Sequence, residues 1–440
     1  MHLSQFQISD GFKLLRLPNV RTIFISYLVT YMGTAMAPIA MAFGVLELTG
    51  STKDTAFVLA APTLAGILIV LLGGAIADRT SRQAVIVIAE VVAMLVQLTI
   101  GLLFITGEAT LLLLSLLMFI NGAAMAFNGP ASAGFIPQLV EKEALQATNA
   151  LLGISRNGAM IFGAALGGVL VAWVGAGVTL LIDALSFGFS ALLVWRLVPK
   201  RQIKPEKTSM FQDLKLGWKA FSAHRWIWVI VLQFAFVVAA VESVFALIGP
   251  AVAKTLLGGP MDWGFISGGL GLGTVLGGMI AFKIRVTYPL RLATICVLFL
   301  ALMPLTLSVP LSVLWIATSA LVAGIAIEVF SVIWMTTLQR KIPAHLLSRV
   351  SAYDHIGSIS LAPLGIVVAG YLFESWGYRN VLWLSAATIL IPTIAVLFVK
   401  DVWNMTDAPD ALADNNDANK NGNNVADNEN RDVDSAPPAS

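Results

Sequence analysis

Apolar runs of about twenty residues recur along the whole chain, separated by short turns that are charged or contain Pro and Gly. A helix of that length crosses roughly 30 Å of hydrocarbon. Twelve runs are predicted, at 21–46, 54–77, 83–105, 109–128, 146–173, 176–197, 226–253, 263–283, 290–308, 311–338, 349–373 and 380–399. They are continuous and lack the ten-residue alternation of a membrane barrel, so helices are the spanning form. The first run is too long, and starts after too many mixed residues, to read as a cleaved signal, so it is expected to be retained. The expected fold class is an all-α integral membrane protein.

The loops supply an orientation. With the N-terminus in the cytoplasm, twenty loop lysines and arginines, from Lys13 to Lys400, fall on the inner side, against Lys53, Lys254 and Arg379 outside. Cytoplasmic loops keep the positive excess, so both termini are expected inside, in the plasma (inner) membrane. The longest loop, Pro199 to Arg225, is basic. It places Phe211, Leu214, Trp218 and Phe221 at helical spacing, as in an amphipathic helix on the inner face.

Composition closes off other classes. Of 440 residues, 58% are hydrophobic and 12% charged, too few charges to clothe soluble domains of this length. One cysteine, Cys296, permits no internal disulfide, and His2, His224, His345 and His355 lack metal-ligand spacing, so neither metal nor cofactor is expected. From Val402 onward the chain is rich in Asn, Asp and Ala, with eight acids against Lys420 and Arg431, and reads as a disordered acidic tail. The expected organisation is a first bundle at 1–198, a linker at 199–225, a second bundle at 226–401 and the tail at 402–440.

The chain repeats itself. Gly73-Gly74-Ala75-Ile76-Ala77-Asp78-Arg79 and Gly277-Gly278-Met279-Ile280-Ala281-Phe282-Lys283 lie about 204 residues apart, each closing the second run of a half. Ile136-Pro137 with Gly168 matches Ile342-Pro343 with Gly370 around the fifth run of each half. Six runs separate the copies, an even number, so the halves are parallel repeats about an axis along the membrane normal, with a binding site between them.

These residues resemble the major facilitator superfamily over about 400 positions. Gly74-Ala75-Ile76-Ala77-Asp78-Arg79-Thr80-Ser81-Arg82-Gln83 is similar to its loop signature between helices two and three, with Ser81 and Gln83 as departures. The resemblance implies a cytoplasmic latch at Asp78, Arg79 and Arg82 that must break for inward opening, with Asp354 serving the same inner gate. Gly158 to Gly168 is similar to the exporters' fifth-helix motif, with Ala159 and Ala164 replacing its first Gly and its Pro. The antiporters' fourth-helix arginine is absent, and Asn121 and Asn128 stand in that run. A closer resemblance is to the macrolide-efflux and enterobactin-export branch. It rests on Ile136-Pro137-Gln138-Leu139-Val140, Asn149-Ala150, Ile182 to Phe187, Leu338-Gln339, Ile342-Pro343 and Arg349-Val350.

Ionisable groups inside hydrocarbon cost at least about 2.5 kcal/mol on insertion scales, which makes each a functional candidate. Glu90, Arg156, Asp183, Glu242, Glu328, Asp354 and His355 are such groups. In the superfamily, helices one, four, seven and ten line the cavity, which singles out Glu242 and Glu328 as proton-coupling carboxylates. Glu90 and Asp183 read as structural pairs, and Arg156 needs a carboxylate such as Asp78 or Glu90. Cavity walls are expected from Tyr27, Tyr31, Met32 and Met36, from Asn121 and Asn128, and from Gln233, Phe234 and Phe236. Such a surface of aromatics, methionines and few polar groups suits amphipathic compounds. No phosphate-cradling Gly-rich loop is present, nor a nucleophile or metal constellation, so the chain is expected to be no enzyme and no ATP-driven pump. The function these residues imply is a monomeric secondary active exporter of drugs or metabolites by proton antiport. Its expected partners are a small-molecule substrate, protons and membrane lipid, without nucleic acid. A dedicated siderophore or metabolite exporter is the alternative, and a non-transporting sensor a further one.

Overall fold

The computed structural model describes residues 14–77, 81–199, 210–284, 286–309 and 311–406. The first half holds α1 (Pro18–Thr49), α2 (Thr52–Ala77), α3 (Arg82–Thr106), α4 (Leu111–Leu139) and α5 (Lys142–Trp195). A linker helix, α6 (Met210–Ala223), leads to α7 (Arg225–Ser243), which passes through the π-turn Val244–Ile248 into α8 (Gly249–Leu256). The second half continues with α9 (Pro260–Lys283), α10 (Pro289–Leu298), a 3-10 turn, α11 (Leu302–Leu307), α12 (Val313–Lys341), α13 (Ala344–Ile359), α14 (Ala362–Trp376), α15 (Tyr378–Leu397) and the short α16 (Lys400–Trp403).

Eleven helices among the described residues are long and apolar enough to cross a membrane, and α5 crosses twice. Its backbone leaves helical geometry at Gly175, with φ 81° and ψ 168°, a conformation that only glycine adopts without strain. Before the break, Gly163 and Gly167 lie against Met32 and Met36 of α1. After it, Asp183 comes back to Gly33 and Ser190 to Ser26. The chain has reversed, and the crossings number twelve. Gly377, between α14 and α15, repeats the device in the second half with φ 80° and ψ 157°. The same duplication gives α4 and α12 the same length of 29 residues.

The fourth run extends further than its apolar pattern predicts. Pro130 and Pro137 lie inside α4, which ends at Leu139 and not near residue 128. Proline is tolerated within a crossing because neighbouring helices and side chains satisfy the freed backbone groups. The two departures in the loop signature have local tasks. Ser81 accepts from the Ala84 amide and caps α3. Gln83 donates to the carbonyls of Val194, Trp195 and Leu197, at 2.8, 3.1 and 2.8 Å, and so closes the last turn of α5.

Three apolar cores organise the bundle. The largest joins both halves, with Ala37–Val45 of α1, Ala56 to Ala61 of α2 and Leu180 of α5 against Val244–Ala253, Trp263, Ile316 and Ile366. The other two are separate. One lies within the first half around Ile23, Ile86, Phe135, Leu152 and Val194. The other lies within the second around Ile227, Val297, Phe330, Trp334 and Ile389. At the shared end, the repeat-related glycines Gly168 and Gly370 carry the crossings. Gly168 meets Pro260 and Gly264 of α9, and Gly370 meets Thr52 and Ala56 of α2, the close backbone approach that small residues permit.

Candidate transport cleft

Two separate cores at one end and one shared core at the other leave a cleft between the halves that opens where α3 begins and α12 ends. Glu242 is the carboxylate of α7, in the second half. It is exposed in mid-helix, immediately before the Val244–Ile248 π-turn, whose Val244 and Leu247 already belong to the shared core. Wide turns of this kind recur at functional sites. Among the described residues no hydrogen bond ends on its carboxylate. Beside it lies an apolar cavity of about 260 Å³, lined by Phe234, Val241, Phe245, Leu270, Met303 and Ile327 among others.

The first half faces this with α1 and α5. Tyr27 and Tyr31 meet edge to face, their ring centroids 5.4 Å apart. Arg156 is exposed on α5, reaches the Tyr31 hydroxyl and stands within electrostatic range of Glu328 on α12. Glu328 is half-buried over Gly277 and Gly278 of α9, where a side chain at Gly277 would take its place. Arg156 therefore acts electrostatically on a carboxylate of the opposite half; of its two expected partners, Asp78 lies outside the described residues.

Other candidates fall elsewhere. Met36 is buried beside Gly167, and Asn121 is buried within α4. Gln233 is buried and donates to Thr393 at 2.9 Å. Phe234 is stacked on Phe330, with centroids 4.3 Å apart, and forms part of the cavity wall. Asn128 accepts from Ser132 at 2.9 Å and faces a small polar cavity with Tyr27 and Tyr31. Of the inner-gate residues, Asp78 and Arg79 lie outside the described residues. Arg82 donates to the Gly134 carbonyl at 2.7 Å, and Asp354 accepts from Trp334 at 3.0 Å, so each is bonded within its own half. The linker helix α6 sets Trp218 edge to face and Phe221 tilted against Tyr353, which docks it on the second half.

Asp183 and Glu90 lie in two buried polar layers. Gln97 donates to Asp183 at 2.8 Å beside Gly33. Ser190 donates to Glu90 at 2.8 Å and meets Ser26 at 2.7 Å. The layers stand seven residues apart on every helix they use, Ser26 and Gly33, Glu90 and Gln97, Asp183 and Ser190. Two helical turns separate them.

At the closed end sit residues that no motif announced. Glu374 of α14 accepts from the Ser51 hydroxyl at 2.7 Å and the Lys53 amide at 3.1 Å, and so caps the start of α2 from the other half. Lys254 of α8 donates to the Leu46 carbonyl of α1 at 2.7 Å. Their partners are more than 200 residues away in sequence, and only the docked halves bring them together.

A family model described as transmembrane secretion effector matches residues 9–428. The chain belongs to this family of major facilitator transporters. This transporter is 22% identical over 388 residues to an uncharacterized MFS-type transporter, YvqJ, of Bacillus subtilis (strain 168), spanning 86% of this chain and 92% of that one. It is 23% identical over 403 residues to the multidrug efflux pump Tap of Mycobacterium tuberculosis (strain ATCC 25618 / H37Rv), covering 89% and 96%. Among solved structures, it shares its fold with a bacterial homologue of the iron transporter ferroportin in an inward-facing state (TM-score 0.70, 18% identity, 87% and 98% covered). The nucleoside transporter NupG has the same fold (a D323A mutant, TM-score 0.69, 13% identity, 86% and 99% covered). The family and its structural neighbours are transporters, not enzymes.

Proposed function

We propose that this transporter exports small amphipathic compounds, drugs or metabolites, by alternating access coupled to proton exchange. The observation that carries this reading is Glu242, a carboxylate exposed at mid-helix, with no hydrogen bond from a described residue, at the mouth of an apolar cavity. An ionisable group in a crossing is retained for function, and one wetted from either side in turn ties proton binding to the swing of the halves. Glu328 shares the task, with Arg156 as the cation that holds it while unprotonated. Phe234 and the rings of Tyr27 and Tyr31 supply substrate contacts.

In this reading the basic end is cytoplasmic, both termini lie there, and the membrane is the plasma (inner) membrane. The cleft then faces the cytoplasm, with Glu374 and Lys254 as the outer closure. Closing the inner side engages Asp78, Arg79 and Arg82 with groups near Asp354. One chain supplies both walls of the cleft, so a monomer surrounded by lipid suffices. The likeness to a named multidrug efflux pump supports export of several unrelated compounds. Accumulation assays with dyes and antibiotics in a deletion strain test this. Faster accumulation without the transporter is expected, whereas unchanged accumulation of every compound refutes broad efflux. Handling of one metabolite alone indicates a dedicated exporter. Absence of all transport in vesicles indicates a sensor.

A further inference from the structure

Glu90 is 4% exposed, and its carboxylate is only half satisfied. Ser190 donates to Oε1, while Oε2 is buried without a hydrogen-bond partner. The same is true of the Thr30 hydroxyl one helix away. Buried polar atoms left in this state cost about 1–3 kcal/mol each, more when charged, so they signal an occupant. Both line a cavity of about 30 Å³ within the first half, with Tyr27, Tyr31, Asn128 and Ser132 as its other polar walls.

The size and chemistry of this space select the ligand. It holds one small particle and no organic group. Its polar atoms are a carboxylate, three kinds of hydroxyl and an amide, the hard oxygen set that suits an alkali or alkaline-earth cation and not a soft metal. One carboxylate supplies a single negative charge. The nearest cation, Arg156, serves Tyr31 and Glu328.

We propose that this pocket binds one monovalent cation of sodium size, held by Glu90, Thr30, Asn128 and Ser132 with the Tyr27 hydroxyl. The bound cation ties α1, α3 and α4 of the first half together beside the cleft. This site is separate from Glu242, and its test does not depend on that residue's role.

The test uses the full-length transporter in detergent, with sodium chloride as the probe and potassium and choline chloride at the same ionic strength as controls. Sodium should raise the thermal unfolding midpoint saturably by several degrees, since a ligand that binds only the folded form stabilises it by mass action. Glu90→Gln and Thr30→Val should abolish that rise, and Glu242→Gln should keep it. Equal midpoints in sodium, potassium and choline overturn the proposal, as does an undiminished sodium response in Glu90→Gln. Should Glu90→Gln not fold, equilibrium binding of radioactive sodium to the parent and to Thr30→Val decides, and no saturable binding to the parent overturns it.

Discussion

The two ends of the bundle solve opposite problems with the same twelve helices. At the end where α2 begins, both halves feed one core, glycines let the backbones touch, and Glu374 and Lys254 bond across the divide. At the other end each half has its own core, and Arg82 bonds to Gly134 and Asp354 to Trp334 within their own halves. Transport by rocking requires this asymmetry. Bonds at the joined end hold one state, and the parted end must be able to trade internal bonds for cross-half ones. In the proposed cycle the joined end parts along this shared apolar core and its few directional contacts, without unfolding either half.

The strongest way to break the comparison is to add bulk where the halves touch. Gly168→Leu drives a side chain into Pro260 and Gly264 of α9, so it should destabilise the joined state by about 1–3 kcal/mol, the cost typical of overpacking. Gly153→Leu, on the same helix but with open space around its would-be Cβ, should be near neutral. Thermal unfolding in detergent compares the two, and equal losses would deny that the joined end is the packed one.

A smaller effect is expected at the cap. Glu374→Ala removes the acceptor for Ser51 and Lys53, which should cost about 0.5–1 kcal/mol for an exposed cap and shift the halves toward parting at this end. Cysteines placed across the α2–α14 contact should become labelled about two- to fivefold faster. Unchanged labelling would show that the cap is ornamental.

The smallest effect on the balance between the halves lies at the parted end. Trp334→Phe removes the donor to Asp354 and should cost about 0.5–1.5 kcal/mol, all of it within the second half. Cysteine labelling at the joined end should not respond. A response there would mean that the two ends are linked through α12.

Much of this architecture was legible in the sequence because hydrocarbon imposes a length on every crossing. The break between the fifth and sixth runs falls at Gly175, inside the gap at 174–175 that their apolar limits leave. The repeated glycines Gly168 and Gly370 mark the touching helices. A boundary shifted in α4, which continues past residue 128 through Pro130 and Pro137. Partners failed for a different reason. Arg156 acts electrostatically on Glu328 of the other half, and Glu374 caps a helix more than 300 residues away, and neither relation leaves a periodic trace. Met36, Asn121 and Gln233 share the helices of the cleft but turn into packed neighbours, because the run that lines a cavity shows only one face to it.

The central claim is that proton binding at Glu242 drives substrate uphill. Proteoliposomes with an imposed pH gradient and a transported amphipathic dye test it most directly. The parent should concentrate the dye against its gradient. Glu242→Gln should lose that ability while still exchanging dye down its gradient, since the amide keeps the shape of the protonated acid. Full uphill transport by Glu242→Gln would contradict the account and leave Glu242 a structural residue.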